Sequence, residues 1–124
     1  MTLKDLSLRF FVAKDEEYVR LHASSDGATL DLGERGHNFL LLTLARRRLS
    51  DNREGLTETS CGWMYVDEVA RGRRMSRQQL SLDVMRIRRH FGKRGVIDAT
   101  DIIERRRSTH QLRLGPDRVS ITAI

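Results

Sequence analysis

The stretch Met75 to Gly92, MSRQQLSLDVMRIRRHFG, decides how the rest of the chain is read. At 100° per residue, Leu80, Val84, Ile87 and Phe91 fall within an arc of about 60°. That apolar stripe predicts a helix that buries one side. Around the rest of its circumference stand Gln78, Gln79, Ser81, Asp83, Arg86 and Arg89, with Arg77 and Arg88 at the shoulder. Arginine and glutamine on an exposed helix face are the side chains that read base edges in a major groove. Ser76 is placed to cap the helix and Gly92 to stop it. On this segment alone, a solvated basic helix packed on a core accounts for the pattern equally well.

Working outward, Gly62-Trp63-Met64-Tyr65-Val66 reads as a short strand feeding a helix that starts at Val66 or Asp67. Val66, Val69 and Ala70 face inward there, Asp67 and Glu68 sit where the dipole favours acid, and Gly72 ends it. Arg71-Gly72-Arg73-Arg74 then makes a tight turn into Met75, so two helices joined by about four residues form a helix-turn-helix signature. Downstream, Lys93 to Asp101 reads as irregular. The segment Ile102 to Gly115 reads as a hairpin whose Arg105, Arg106 and Arg107 lie beside a tip of Ser108, Thr109 and His110. Pro116-Asp117 is a turn, and Arg118 to Ile124 a terminal strand.

Upstream, Leu6 to Ala13, Tyr18 to His22 and Ala28 to Leu32 read as three strands of an antiparallel sheet. Gly36 to Leu49 reads as an apolar-rich helix, and residues 50–62 as a long polar loop. Arg46, Arg47 and Arg48 fall near that helix's C-terminal end, where the dipole explains them better than a contact to DNA does. The expected architecture is a single α+β domain over 1–124. It divides into an N-terminal β-sheet (1–33), a three-helix core (34–92), and a hairpin with a C-terminal strand (93–124).

Composition narrows the function. Of 23 basic residues only Lys4, Lys14 and Lys93 are lysine, and the formal net charge is +6. The charge is unevenly spread: residues 1–34 carry a net −3, and residues 71–113 alone a net +9. A polyanion partner for the basic end follows. No apolar run reaches membrane-spanning length, and no basic flank leads into an apolar leader, so neither a membrane partner nor secretion is expected. The lone Cys61 cannot form an internal disulfide and fits a reducing cytoplasm. His22, His37, His90 and His110 are scattered without metal-ligand spacing. There is no nucleophile elbow, P-loop or dinucleotide fingerprint, so neither an enzyme nor a cofactor is expected.

Three helices followed by a basic hairpin resemble a winged helix-turn-helix. In particular, QLSLDVMRIRRHF (Gln79 to Phe91) resembles the third helix of the OmpR/PhoB-type response-regulator DNA-binding domain. The tracts GWMYVDEVARGRRMSRQQL and ERRRSTHQLRLG also resemble winged-helix segments of bacterial forkhead-associated-domain proteins. The resemblance covers roughly residues 6–115. It implies sequence-specific binding of double-stranded DNA by a transcriptional regulator at the nucleoid, with helix 76–92 in the major groove.

The positions that match the family's reading helix are Gln79, Ser81, Leu82, Asp83, Met85, Arg86 and Arg88. Leu82, about 200° from Leu80, either touches a thymine methyl or packs beneath the wing. Arg86 and Arg89 are candidate guanine or phosphate contacts, and Arg77 and Arg88 phosphate contacts. Asp83 either accepts from cytosine N4 or orients Arg86. The wing, 102–114, would reach the minor groove or the backbone through Arg106 or Arg107, flanked by Ser108, Thr109 and His110.

The chain carries no receiver domain and no forkhead-associated domain, so a phosphorylation switch is not expected. Its short turn between the second and third helices differs from the longer loop with which some members touch RNA polymerase. RNA polymerase or another transcription factor remains a candidate partner, as does a second copy of the chain on DNA. The alternative is a winged-helix module that docks a protein instead of reading DNA. Single-stranded RNA is disfavoured, because most of the seven aromatic residues look buried.

Overall fold

Alternation of apolar and polar residues builds the first sheet in the computed structural model, which describes residues 1–124. Strand β1 (Ser7–Val12) buries Leu8, Phe10 and Val12 and turns Arg9 outward. Strand β2 (Val19–Ser25) pairs antiparallel with it, placing Leu21 opposite Phe10. Strand β3 (Ala28–Gly33) follows a two-residue turn in which Asp26 and Gly27 both take left-handed backbone, at φ 47° and 81°.

The fourth strand arrives from the far end of the sequence. Strand β7 (Val119–Ala123) pairs parallel with β1, Leu8 against Val119, giving the order β3-β2-β1-β7. The sequence groups the strand Arg118 to Ile124 with the hairpin before it, whereas the structure places it, as Val119–Ala123, in the N-terminal sheet. The free edge of β1 needs a hydrogen-bonding partner, and Val119 and Ile121 gain apolar cover by supplying one. The first sheet is therefore mixed.

Helix α1 (Asn38–Arg53) buries Leu40, Leu41, Leu42, Leu44 and Ala45, which point around most of its circumference. A helix apolar on so many sides must be covered on more than one. One side packs on β2 and another on strand β6 (Gln111–Leu114) of a second sheet. That sheet is antiparallel, in the order β4 (Met64–Tyr65), β6, β5 (Ile103–Arg106). Helices α2 (Val66–Gly72) and α3 (Arg77–Lys93) close the far side, and the protein is an α+β fold with three α-helices.

The helix ends correct two boundaries. The 50–62 loop starts later, because α1 runs on to Arg53 and closes with Gly55 at φ 83°. There Leu56 N donates to Asp51 O and Gly55 N to Asn52 O, both at 3.1 Å, the paired bonds of a Schellman cap. Gly92 does not stop α3; it lies inside the helix, and Gly95 at φ 95° makes the left-handed turn three residues on. Val96 N donates to Phe91 O there, and both side chains are buried. Helix α2 ends the same way, but with Arg74 at φ 52° in the left-handed position.

Arg48 of α1 is 1% exposed and is the largest charged group in the interior. Its Nη1 donates to Leu114 O at 3.2 Å and its Nη2 pairs with Glu58, which is itself mostly exposed. Cys61 Sγ donates to Arg48 O, and a Cβ on Gly62 would sit 3.3 Å from the Arg48 side chain. One buried guanidinium thus fastens loop 54–63 to α1 and to the end of β6. Glu58→Ala should therefore cost about 2 kcal/mol, far more than an exposed acid normally does, because it strands a buried charge. Adding Arg48→Met should recover at least half of that loss in urea denaturation; a double variant less stable than Glu58→Ala contradicts this account.

Candidate nucleic-acid interface

The capping of α3 positions its exposed face. Ser76 Oγ accepts from Gln79 N at 3.1 Å, and Gln79 Oε1 accepts from Ser76 N at 2.8 Å, a reciprocal capping box. Leu80, Val84, Ile87 and Phe91 are buried, as the apolar stripe predicts. Opposite them run Gln78, Leu82, Met85 and Arg89, all exposed, with the apolar Leu82 and Met85 at 46% and 52%. Leu82 therefore faces solvent and does not pack beneath the hairpin.

Two cationic flanks border this ridge. On the first, Arg77, Ser81 and Arg88 turn toward the β5–β6 hairpin. Arg77, Ser81, Arg105, Arg106, Arg107 and His110 line a cavity of about 370 Å³. On the second, Arg86 lies 3.4 Å from Asp83, which takes up the orienting position, and Arg86, Arg89, His90 and Lys93 face Arg35 and His37 at the start of α1. The sequence treats the histidines as scattered, yet the fold brings the rings of His37 and His90 to 5.6 Å, edge to face. Fifty-odd intervening residues leave no spacing signal for that pair.

Several candidate contacts are already occupied. Arg88 Nε and Nη2 donate to Thr100 O and Ile103 O, each at 2.8 Å, so this arginine ties α3 to the base of the hairpin. Burial, with Arg105 and Arg107 nearby, lowers its pKa from the ordinary arginine value. The amide oxygen of Gln79 belongs to the cap. Arg77 Nε donates to Asp67 Oδ1 at 2.7 Å, which holds the Asp67 carboxyl below the usual carboxylate range. Arg106 Nη2 donates to Thr59 O at 2.6 Å, and its guanidinium lies 4.1 Å from the Trp63 ring centroid.

At the hairpin tip, Ser108, Thr109 and His110 are exposed, Thr109 Oγ1 donates to Gln111 Oε1, and His110 O accepts from Val66 N at 2.8 Å. Arg105 and Arg107 remain exposed and face the cavity. Of the two tip arginines singled out in the sequence, Arg107 is the one left available.

Trp63 and Arg113 carry no signal in the sequence reading, and they organise this end of the molecule. The Trp63 ring takes cation contacts from both Arg106 and Arg113, the latter at 4.6 Å. Arg113 also bonds Glu104, Glu58 O and Cys61 O. Its alternation between buried Leu112 and Leu114 marks it as outward-facing, but nothing marks the ring it meets. Only Phe10 and Phe91 of the seven aromatics are buried, so the expectation of a mostly buried set is corrected. Of the others, Phe39 and Trp63 carry guanidiniums on their rings. All three residues of the Arg46–Arg48 run pair with acids, Glu16, Glu68 and Glu58 in turn. Burial pushes the Cys61 thiol up, away from nucleophilic reactivity.

The division between occupied and available arginines is measurable. Arg88→Ala should cost about 2 kcal/mol of stability by removing two hydrogen bonds and leaving the Ile103 carbonyl without its partner, and Arg89→Ala less than about 0.5 kcal/mol. Equal losses in urea denaturation would contradict it. No family model, curated protein or solved structure matches the chain.

Proposed function

We propose that the chain is a winged helix-turn-helix domain of the OmpR/PhoB kind, which binds double-stranded DNA as a transcriptional regulator in the cytoplasm. One observation carries the reading. An exposed helix ridge, Gln78-Leu82-Met85-Arg89, runs between two cationic flanks, one formed with Arg105 and Arg107 and the other with Arg35. A helix lying in a major groove has a phosphate strand on each side, which is the charge arrangement these flanks match.

In this reading the roles narrow. Gln78 faces the base edges, Arg86 and Arg89 stand where they can take guanines or phosphates, and Leu82 and Met85 offer apolar contact to thymine methyls. Arg107 and Arg105 take backbone or minor-groove phosphates. Arg77 joins them on releasing Asp67, an exposed pair worth little in water. Arg88, Gln79 and Arg106 act by holding the surface in shape.

The exposure of Leu82 and Met85 also favours a second reading, a protein-docking module whose apolar contact lies on α3. Fluorescence anisotropy with random duplex at low salt separates the two. DNA binding should weaken steeply with salt, with a log–log slope of about −5 if six phosphates are neutralised. Replacing Arg86 and Arg89 together with Ala should abolish selection of a preferred sequence from a random pool while leaving the fold intact. Undiminished selection by that double variant would sink α3 as the reading element, and no duplex binding at low salt would favour docking.

A further inference from the structure

We propose that the hollow between α3 and the start of α1 is a phosphate-binding pocket whose affinity is tied to proton uptake by His37 and His90. The hollow measures about 300 Å³ and is lined by Arg35, His37, Arg86, Arg89, His90 and Lys93 with Gly36, and no acid lines it. Four permanent cations, Arg35, Arg86, Arg89 and Lys93, are gathered there from two parts of the chain, and of these only Arg86 has an acid beside it, Asp83. The first turn of α1 contains no acidic residue, so the positive end of its dipole points the same way without compensation.

The histidines add a second, independent observation. His37 Nε2 and His90 Nδ1 are shielded from solvent, yet neither has a protein partner. Buried ring nitrogens normally find one. A phosphate in the hollow cannot touch these two shielded atoms, but its negative charge nearby offsets the cost of protonating rings that have no protein partner. Three guanidiniums provide the forked donors that suit a tetrahedral oxyanion better than a single carboxylate.

Charges around the pair fix the direction of the pH effect. Without an anion, both histidines titrate below the ordinary value: His37 through burial, then His90, Arg35 and Arg86, and His90 through burial, then Arg35, Arg94 and Lys93. Asp83 opposes this at His37 and is already paired with Arg86. A bound phosphate anion opposes this and raises both pKa values, so the complex holds more protons than the free protein. Binding therefore tightens as pH falls through the histidine range, by up to about ten-fold per pH unit for each proton taken up. Stability runs the other way. Depressed folded-state values mean that stability is full above the unfolded histidine pKa and is lost as pH falls through the folded values.

The phosphate can come from the DNA backbone or from a free phosphorylated small molecule. Only the first source rests on the DNA-binding reading. The test follows the imidazole resonances of His37 and His90 in the full chain by NMR, at about pH 6 and about pH 8. One arm titrates inorganic pyrophosphate and the other a DNA duplex, each against sodium chloride of equal ionic strength. Saturable shifts of both rings with pyrophosphate, tighter at the lower pH and weakened about ten-fold in Arg35→Gln, establish a site for free phosphate. No saturation with pyrophosphate, but the same pH-dependent shifts with duplex, establishes a backbone clamp.

Shifts no larger than those from chloride in both arms overturn the proposal. Duplex binding that leaves both rings unmoved, together with no saturation by pyrophosphate, overturns the pocket and leaves DNA binding standing. Saturable pyrophosphate without duplex binding does the reverse. Arg35 is exposed and outside every strand and helix, so Arg35→Gln is not expected to unfold the chain, and its amide spectrum checks this directly.

Discussion

The buried guanidinium of Arg48 is the constraint on which the second half of the molecule depends. A charge 1% exposed needs partners, and two of its nitrogens reach in two directions, Nη1 to Leu114 O and Nη2 to Glu58, while Nε has none. Those bonds join the middle of the sequence to the base of the β5–β6 hairpin. Arg113 continues the fastening on the outer side by bonding Glu58 O and Cys61 O while stacking on Trp63. An otherwise polar, aperiodic loop becomes a strap across the second sheet. The hairpin then stands at a fixed angle to α3, because Arg88 anchors its other side.

Much of the fold is legible in the sequence because local rules and burial agree. The period-2 alternation of β1 and the apolar stripe of α3 each point to one face, and each face is buried. The failures sit where a distant partner decides. Ser50, Asp51 and Asn52 look like loop residues, but Asp51 accepts from Gly62 N and the helix runs beneath them. Gly92 looks like a stop, yet Gly95 is the glycine followed by a buried apolar residue, Val96, and that contact completes the cap. Strand β7 is visible as a strand, but its partner cannot be read from alternation.

The candidate site divides in the same manner. Exposed arginines on α3 are identifiable from helical angle alone, since angle determines what faces solvent. Angle does not reveal which arginine is already spent on a carbonyl. Arg88 and Arg89 are adjacent in sequence, and one is structural while the other is free. The distinction comes from the stretch Thr100–Ile103, whose carbonyls lie within reach of only one of them. Likewise, the Trp63 stack and the His37–His90 contact join residues far apart in sequence, so no spacing rule could have found them.

The parallel pairing of β1 with β7 has a kinetic consequence. Leu8 and Val119 are about 110 residues apart, and the ladder between their strands cannot form until nearly all of the intervening chain has been made and gathered in. Contacts of such separation carry a large loop-closure cost before they return any stabilisation, and they slow folding. During synthesis, β1 and β2 emerge early and wait as an incomplete sheet whose open edge can pair with another nascent chain. Pairing of β7 withdraws that edge from intermolecular contact, so a variant that weakens the β1–β7 ladder should aggregate more readily during refolding.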